Sequence, residues 1–186
     1  MISQQQAHAP TQSSARQTAQ RPRSEHRIWH VQHTGRCGSS IFLQAREYQS
    51  YLTDLVCNCR ACDVRIHAWC LIRNDVQLML GNVSRAGLRQ LMTRLAARHV
   101  FRQCKGDELP DFVFEPMLQI RRLYAADDIL AVAGEIDLLP VRRVLVCAPD
   151  RYPWSSYADR SGIVTSKLLT RRETILAKFT NTTTIT

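Results

Sequence analysis

The sequence predicts an α+β domain, an antiparallel sheet with helices packed on it. Three observations lead there. Polar and apolar residues alternate in "RIWHVQH" (27–33) and "NDVQLML" (74–80), the period of half-buried strands. Apolar residues recur every three or four positions in 44–62 and 84–104, the period of helices. The two patterns interleave along the chain, which favours a sheet layered with helices over a helical bundle.

Taken in order, 27–33 is the first strand, and "TGRCGSS" (34–40) is a Gly-bearing loop. Residues 44–62 form a helix whose stripe is Leu52, Leu55, Val56 and Cys59. "VRIHAWCLI" (64–72) is a strand, and 74–80 is its hairpin partner. The clearest helix is 84–104, with Ser84 as N-cap and Leu88, Leu91, Met92 and Leu95 buried. "DFVFEP" (111–116) reads as a short strand. Residues 126–138 read as a helix, with Asp127 and Asp128 in the first turn, where the helix dipole favours them, and Pro140 stopping it. "VRRVLV" (141–146) reads as a last strand and 165–179 as a peripheral helix. The order β-α-β-β-α-β-α-β fits an antiparallel sandwich.

Residues 1–25 are rich in Gln, Ser, Ala and Thr and are expected to be a disordered tail. The folded domain is expected over 26–160. Residues 161–186 form an extension, helical and then fraying in "TNTTTIT". Lys and Arg number 25 against 16 Asp and Glu, a net charge of +9. That balance favours polyanionic partners, nucleic acid first. Only Lys105, Lys167 and Lys178 are lysines, an arginine bias that a GC-rich genome also produces. No apolar leader and no apolar run of membrane length is present. Seven unevenly spaced cysteines without a leader read as reduced thiols in the cytoplasm.

Five segments, in order, carry a resemblance. They are "IWHVQHTGR" (28–36), "IF" with Tyr48 and "YL" (41–52), "VRIHAWCLIRNDVQLML" (64–80), "EIDLLPVRRVLV" (135–146) and "DRYPWSSY" (150–157). Over residues 27 to 160 the chain resembles the bacterial REP-associated tyrosine transposases, a branch of the HUH single-tyrosine transposases. The resemblance implies a transposase-like, ferredoxin-like fold. It also implies a chemistry in which a tyrosine attacks a DNA phosphate. A divalent cation, held by an H-x-H strand and a polar residue one helical turn after the tyrosine, polarises that phosphate.

Carried over position by position, that chemistry is missing. The two histidine positions are Asp75 and Gln77, the tyrosine position is Glu135, and the position one turn later is Leu139. The family's "RG" after the first strand is Thr34-Gly35, and its "GRF" before the last helix falls at Pro116-Met117-Leu118. The expectation is a DNA-binding protein for single-stranded or hairpin DNA that has lost strand cleavage. Asp75 and Gln77 are then expected as polar residues on a solvated groove wall, with no cofactor.

The alternative is an active endonuclease in which Asp75, Gln77 and Glu135 hold Mg²⁺ or Mn²⁺ through oxygen donors. A third possibility is a non-enzymatic interaction protein or a decaying transposase remnant. Tyr124, eleven residues before Glu135, is the stand-in nucleophile to consider, while Tyr48 and Tyr51 read as packing. The family often forms dimers, so a homodimer is also considered.

The candidate DNA contacts are Arg85, Arg89, Arg94, Arg98, Arg102 and Lys105, read as lying broadly along one side of their helix, joined by Arg142 and Arg143. The run "CNCRAC" (57–62) with Cys70 lacks a repeated C-x-x-C pair, and Cys59 falls on the apolar stripe, so zinc is not expected. His30 and His67 read as hydrogen-bonded structural residues. His33 and His99 give no signal. Trp154, Ser155 and Ser156 read as a packing and turn element.

Overall fold

In the computed structural model, residues 27–104 and 113–163 are described. The expected tail, Lys105 and the 165–179 helix lie outside them. Six elements follow the anticipated order. They are β1 (Ile28–Thr34), α1 (Ala45–Ala61), β2 (Arg65–Ile72), β3 (Asp75–Gly81), α2 (Arg85–Gln103) and, after a further strand, α3 (Ala126–Arg142). The further strand is β4 (Gln119–Leu123), and a one-turn helix α4 (Tyr157–Arg160) follows α3. The sheet is antiparallel in the order β2-β3-β1-β4, the ferredoxin-like arrangement.

Helix starts follow local chemistry. Ser84 accepts the Gly87 N–H with its side chain and caps α2. Gln44 and Glu47 form a reciprocal capping box on α1. Just after β1, position 35 takes glycine because a Cβ there would collide with the Ser39 carbonyl.

Alternate residues of each strand feed two cores. Val31, Ile66, Leu71, Val76, Leu78 and Leu80 point to α1 and α2 and join Phe42, Tyr51, Leu55, Leu88, Met92 and Leu95. Ile28, Ala68, Cys70, Ile72, Met79 and Leu123 point the other way, under Ile129, Val132, Ala133 and Ile136 of α3. The sheet is therefore covered on both faces, by two helices on one and by a single long helix on the other. No helix of the described residues is long and apolar enough to cross a membrane.

Two strand expectations are corrected. In the 111–116 segment, the described residues give only an isolated bridge from Phe114 to Gly35. The fourth strand is the polar "QIRRL" further on. Residues 141–146 are no strand: Val144 has φ 56° and the Leu145 N–H returns to the Pro140 carbonyl, which makes a turn. Pro140 also lies inside α3, which runs on to Arg142. In the last turn, proline's missing N–H costs one bond and its φ already suits a helix.

Residues 152–156 close the outer edge of β2. Leu71 N–H donates to the Trp154 carbonyl at 2.9 Å and Ser156 N–H to the Trp69 carbonyl at 2.8 Å. The Tyr152 hydroxyl donates to the Leu71 carbonyl and Trp69 N–H to the Ser156 hydroxyl. Trp154 stacks on Tyr48, which stacks on Phe42. The expected packing and turn element is thus an edge strap.

Candidate functional site

Asp75 and Gln77 lie two apart on β3, on the face that α3 covers. Opposite them in the β1 register stand Thr34 and Gln32, with His30 two residues further along on the same face. The side chains make one closed network. Gln32 Nε2 donates to Asp75 Oδ2 at 2.9 Å, and Gln77 Nε2 donates to the same oxygen at 3.0 Å. With its amide nitrogen so committed, Gln77 turns its carbonyl to His30, whose Nε2 lies 2.7 Å away. That arrangement requires the tautomer with the proton on His30 Nε2.

Asp75 is only 1% exposed, so the expected solvated groove wall is wrong for it. Burial pushes its carboxyl above the usual range, even though Gln77 and Gln32 hydrogen-bond it and Arg143 attracts it. Its Oδ1 is buried without a hydrogen-bond partner. Burial lowers the His30 pKa, with Arg121 pulling the same way, and its hydrogen bond to Gln77 and the charges of Glu135 and Asp75 only partly oppose this. The imidazole is therefore neutral at physiological pH.

Glu135 is exposed on α3 and touches this network only through electrostatics on His30. Leu139, one turn on, is half-buried and packs against the smaller core. Among the described residues, no three His, Cys, Asp or Glu side chains are gathered as a cation would need. Asp75 Oδ2 already accepts two amide N–H groups and the Gln77 carbonyl already accepts the imidazole. A cation would have to break those bonds to use these oxygens.

The tyrosines lie elsewhere. Tyr124 is exposed just before α3, and the Arg122 guanidinium lies 4.7 Å from its ring centroid. It alternates with Leu123, which faces α3, so it does not point at the network. Tyr51 is buried and Tyr48 is stacked, both as packing residues. The cysteines are free and scattered: Cys59 lies in the core under α1 and Cys70 in the core under α3. Burial raises the Cys59 thiol to about 12, which suits a small hydrophobe.

The basic residues divide between two places. All five arginines of α2 are exposed, but not in one stripe. The step of five from Arg89 to Arg94 turns roughly 140° around the helix, so Arg85 and Arg89 flank the buried face on one side and Arg94, Arg98 and Arg102 on the other. The latter side meets α1. There Arg98 Nη1 donates to Asp54 Oδ1 at 3.1 Å, Arg102 Nη2 donates to Oδ1 at 3.0 Å, and Arg102 Nη1 pairs with Oδ2. Arg142 and Arg143 end α3 on the far face of the sheet, with Arg143 in electrostatic reach of Asp75. They do not extend the α2 group.

Sequence reasoning missed Gln32, Arg121, Asp54 and Asp137. Gln32 was open to discovery, because it alternates with His30 on β1 and only the strand register was lacking. Asp54 carried a weaker signal, a carboxylate set inside the apolar stripe of α1. His30, read as a hydrogen-bonded structural residue, is one. His99 is buried in the aromatic core beside Phe42 and Tyr51, with Nε2 2.8 Å from the Ile41 carbonyl.

No protein-family model and no curated protein matches the chain. Among solved structures the chain is similar to a REP-associated tyrosine transposase bound to a REP hairpin. The TM-score is 0.60 and the identity 13%, over 77% of this chain and 84% of that one. At that identity the likeness is one of fold: a transposase-like antiparallel sheet with helices packed on it.

Proposed function

We propose that this chain is a DNA-binding protein on a transposase-like scaffold, taking single-stranded or hairpin DNA without cutting it. The observation that carries the second half is the closed network of His30, Gln77, Asp75 and Gln32. It stands where the resemblance places a cation site, and two of its oxygens, Asp75 Oδ2 and the Gln77 carbonyl, are spent on amide and imidazole N–H groups. Glu135 stands where the resemblance places the nucleophile, and a carboxylate exposed on α3 is no substitute for the phenol that chemistry uses. The first half is supported by the net charge of +9 and by the similar fold of a transposase bound to a REP hairpin.

The unpartnered Asp75 Oδ1, with Glu135 in electrostatic reach of His30 in the same network, favours one other reading, a weak Mg²⁺ or Mn²⁺ endonuclease. Incubation with an end-labelled hairpin oligonucleotide and Mn²⁺ separates the two. The proposal expects a salt-sensitive complex, an uncut strand and no covalent adduct on a denaturing gel. Cleavage that Asp75→Asn abolishes would establish the endonuclease instead.

A further inference from the structure

Among the described residues, the helices on the two faces of the sheet differ in charge. Helices α1 and α2 carry seven arginines (46, 60, 85, 89, 94, 98 and 102), all exposed, against two carboxylates, Glu47 and Asp54. Both carboxylates are engaged internally. Glu47 Oε2 accepts the Leu43 and Gln44 N–H groups, and Asp54 is buried between Arg98 and Arg102. The opposite side is different. Residues 126–163, from α3 through α4, hold four arginines against six carboxylates. The polar network of Asp75 and Gln77 belongs to that second side.

Resting on the DNA-binding reading, we propose that the phosphate backbone of a duplex stem docks across the outer surface of α1 and α2. This is the face away from the Asp75 network. The 19 residues of α2 span roughly 28 Å, about four-fifths of a duplex turn, which suits a surface that follows phosphates rather than one that pinches a single one. Asp54 supplies the anchor. It sits at the α1–α2 seam and fixes two guanidinium groups whose side chains remain 59% and 45% exposed. Each keeps N–H donors free of Asp54 for a phosphate, and their rotamers are already fixed, so less entropy is lost on contact. Asp54 is a positioning residue, since it does not itself meet the DNA.

The test measures fluorescence anisotropy of a labelled hairpin oligonucleotide with the full chain over a series of salt concentrations. Two triple variants remove the same charge from opposite faces: R46S/R89S/R94S and R121S/R142S/R143S. The first is expected to weaken binding at least about tenfold near 0.1 M salt and to flatten the log–log salt slope by about 2 to 3. The second is expected to stay within about threefold of the parent. Asp54→Asn adds a net positive charge, so bulk electrostatics predicts tighter binding, whereas loss of positioning predicts weakening by about threefold. Circular dichroism confirms that each variant is folded.

Equal losses from both triples, or loss from the second alone, would overturn the assignment of the face while leaving DNA binding intact. No binding by the parent at low salt would overturn the DNA-binding reading itself. Tighter binding by Asp54→Asn would remove the anchor.

Discussion

Asp54 and Asp137 are both buried aspartates, carried on helices that cover opposite faces of one sheet, and their carboxyl pKa values shift in opposite directions. At Asp54 burial opposes ionisation, but Arg102 and Arg98 outweigh it and hold the carboxyl below its usual range. At Asp137 burial wins over the single Arg160, whose Nη2 is 3.4 Å away, and pushes the carboxyl to about 6. Asp75, on the same face as Asp137, is also raised. Asp54 lies shallower than the other two and is hydrogen-bonded by two guanidinium groups, whereas Asp75 and Asp137 lie deeper with one arginine each, so shallower burial and more cations act in the same direction. The α1–α2 layer has an excess of them and the α3 side does not.

Substitutions can break or sharpen this contrast. The largest effect belongs to packing. Leu78 and Met79 are adjacent on β3, both buried, and point to opposite layers. Leu78→Ala is expected to cost about 4 kcal/mol, because two helices bridge the cavity and hold it open. Met79→Ala is expected to cost about 2 kcal/mol, because α3 alone can settle into the space. Urea denaturation reads both, and equal costs would break the asymmetry of the layers.

Next comes pH. A carboxyl raised on folding stabilises the fold below its unfolded value, near 4, and that contribution is lost as pH rises through about 6. Asp137 should therefore lower stability between pH 4 and 7 by on the order of 2–3 kcal/mol. In Asp137→Asn the decline across that window should flatten, as followed by thermal midpoints at several pH values. A slope unchanged from the parent would mean that Asp137 ionises normally.

Cutting the polar network is a smaller step. Gln77→Leu takes one donor from Asp75 and the acceptor from His30, and about 1–2 kcal/mol of stability should go with them. The smallest effect is at Asp54. Its arginines are half exposed and water screens the pairs, so Asp54→Asn should cost about 1 kcal/mol near neutrality. Because its pKa is depressed, that contribution is present above about 4 and is lost as the pH falls through the folded value. The gap between parent and variant should then close in acid. A gap that widens there would reverse the assigned sign.

Periodicity made most of the frame legible. β1, α1, β2, β3, α2 and α3 each carry a strong period of two or of three to four, and each lies close to its expected bounds. β4 escaped because "QIRRL" is an edge strand whose Arg121 and Arg122 face opposite sides, which leaves little apolar alternation to read. "VRRVLV" misled for the converse reason. Its valines and leucine look strand-like, yet Val144 is 90% exposed in a turn set by the end of α3.

At the site, the positions of Asp75 and Gln77 were legible but the burial of Asp75 was not. Burial depended on His30 and Gln32 arriving from β1, a pairing across more than forty residues that no local pattern encodes. The arginines of α2 were legible as residues. Their division into two flanks followed from helical angle alone, and the partner of one flank, Asp54, could be identified only once α1 lay beside α2.

The strap at 152–156 has a consequence for how copies of this protein can meet. By occupying the free margin of β2 it removes one of the two places where a foreign strand could add itself to the sheet. The other margin, β4, is short and carries two arginines, and like charges there repel an identical neighbour. Self-association through sheet extension is thus discouraged at both ends, by a covering segment at one and by repulsion at the other. A chain trimmed before Tyr152 would lose the first safeguard and should be the more aggregation-prone form, although every strand and long helix remained.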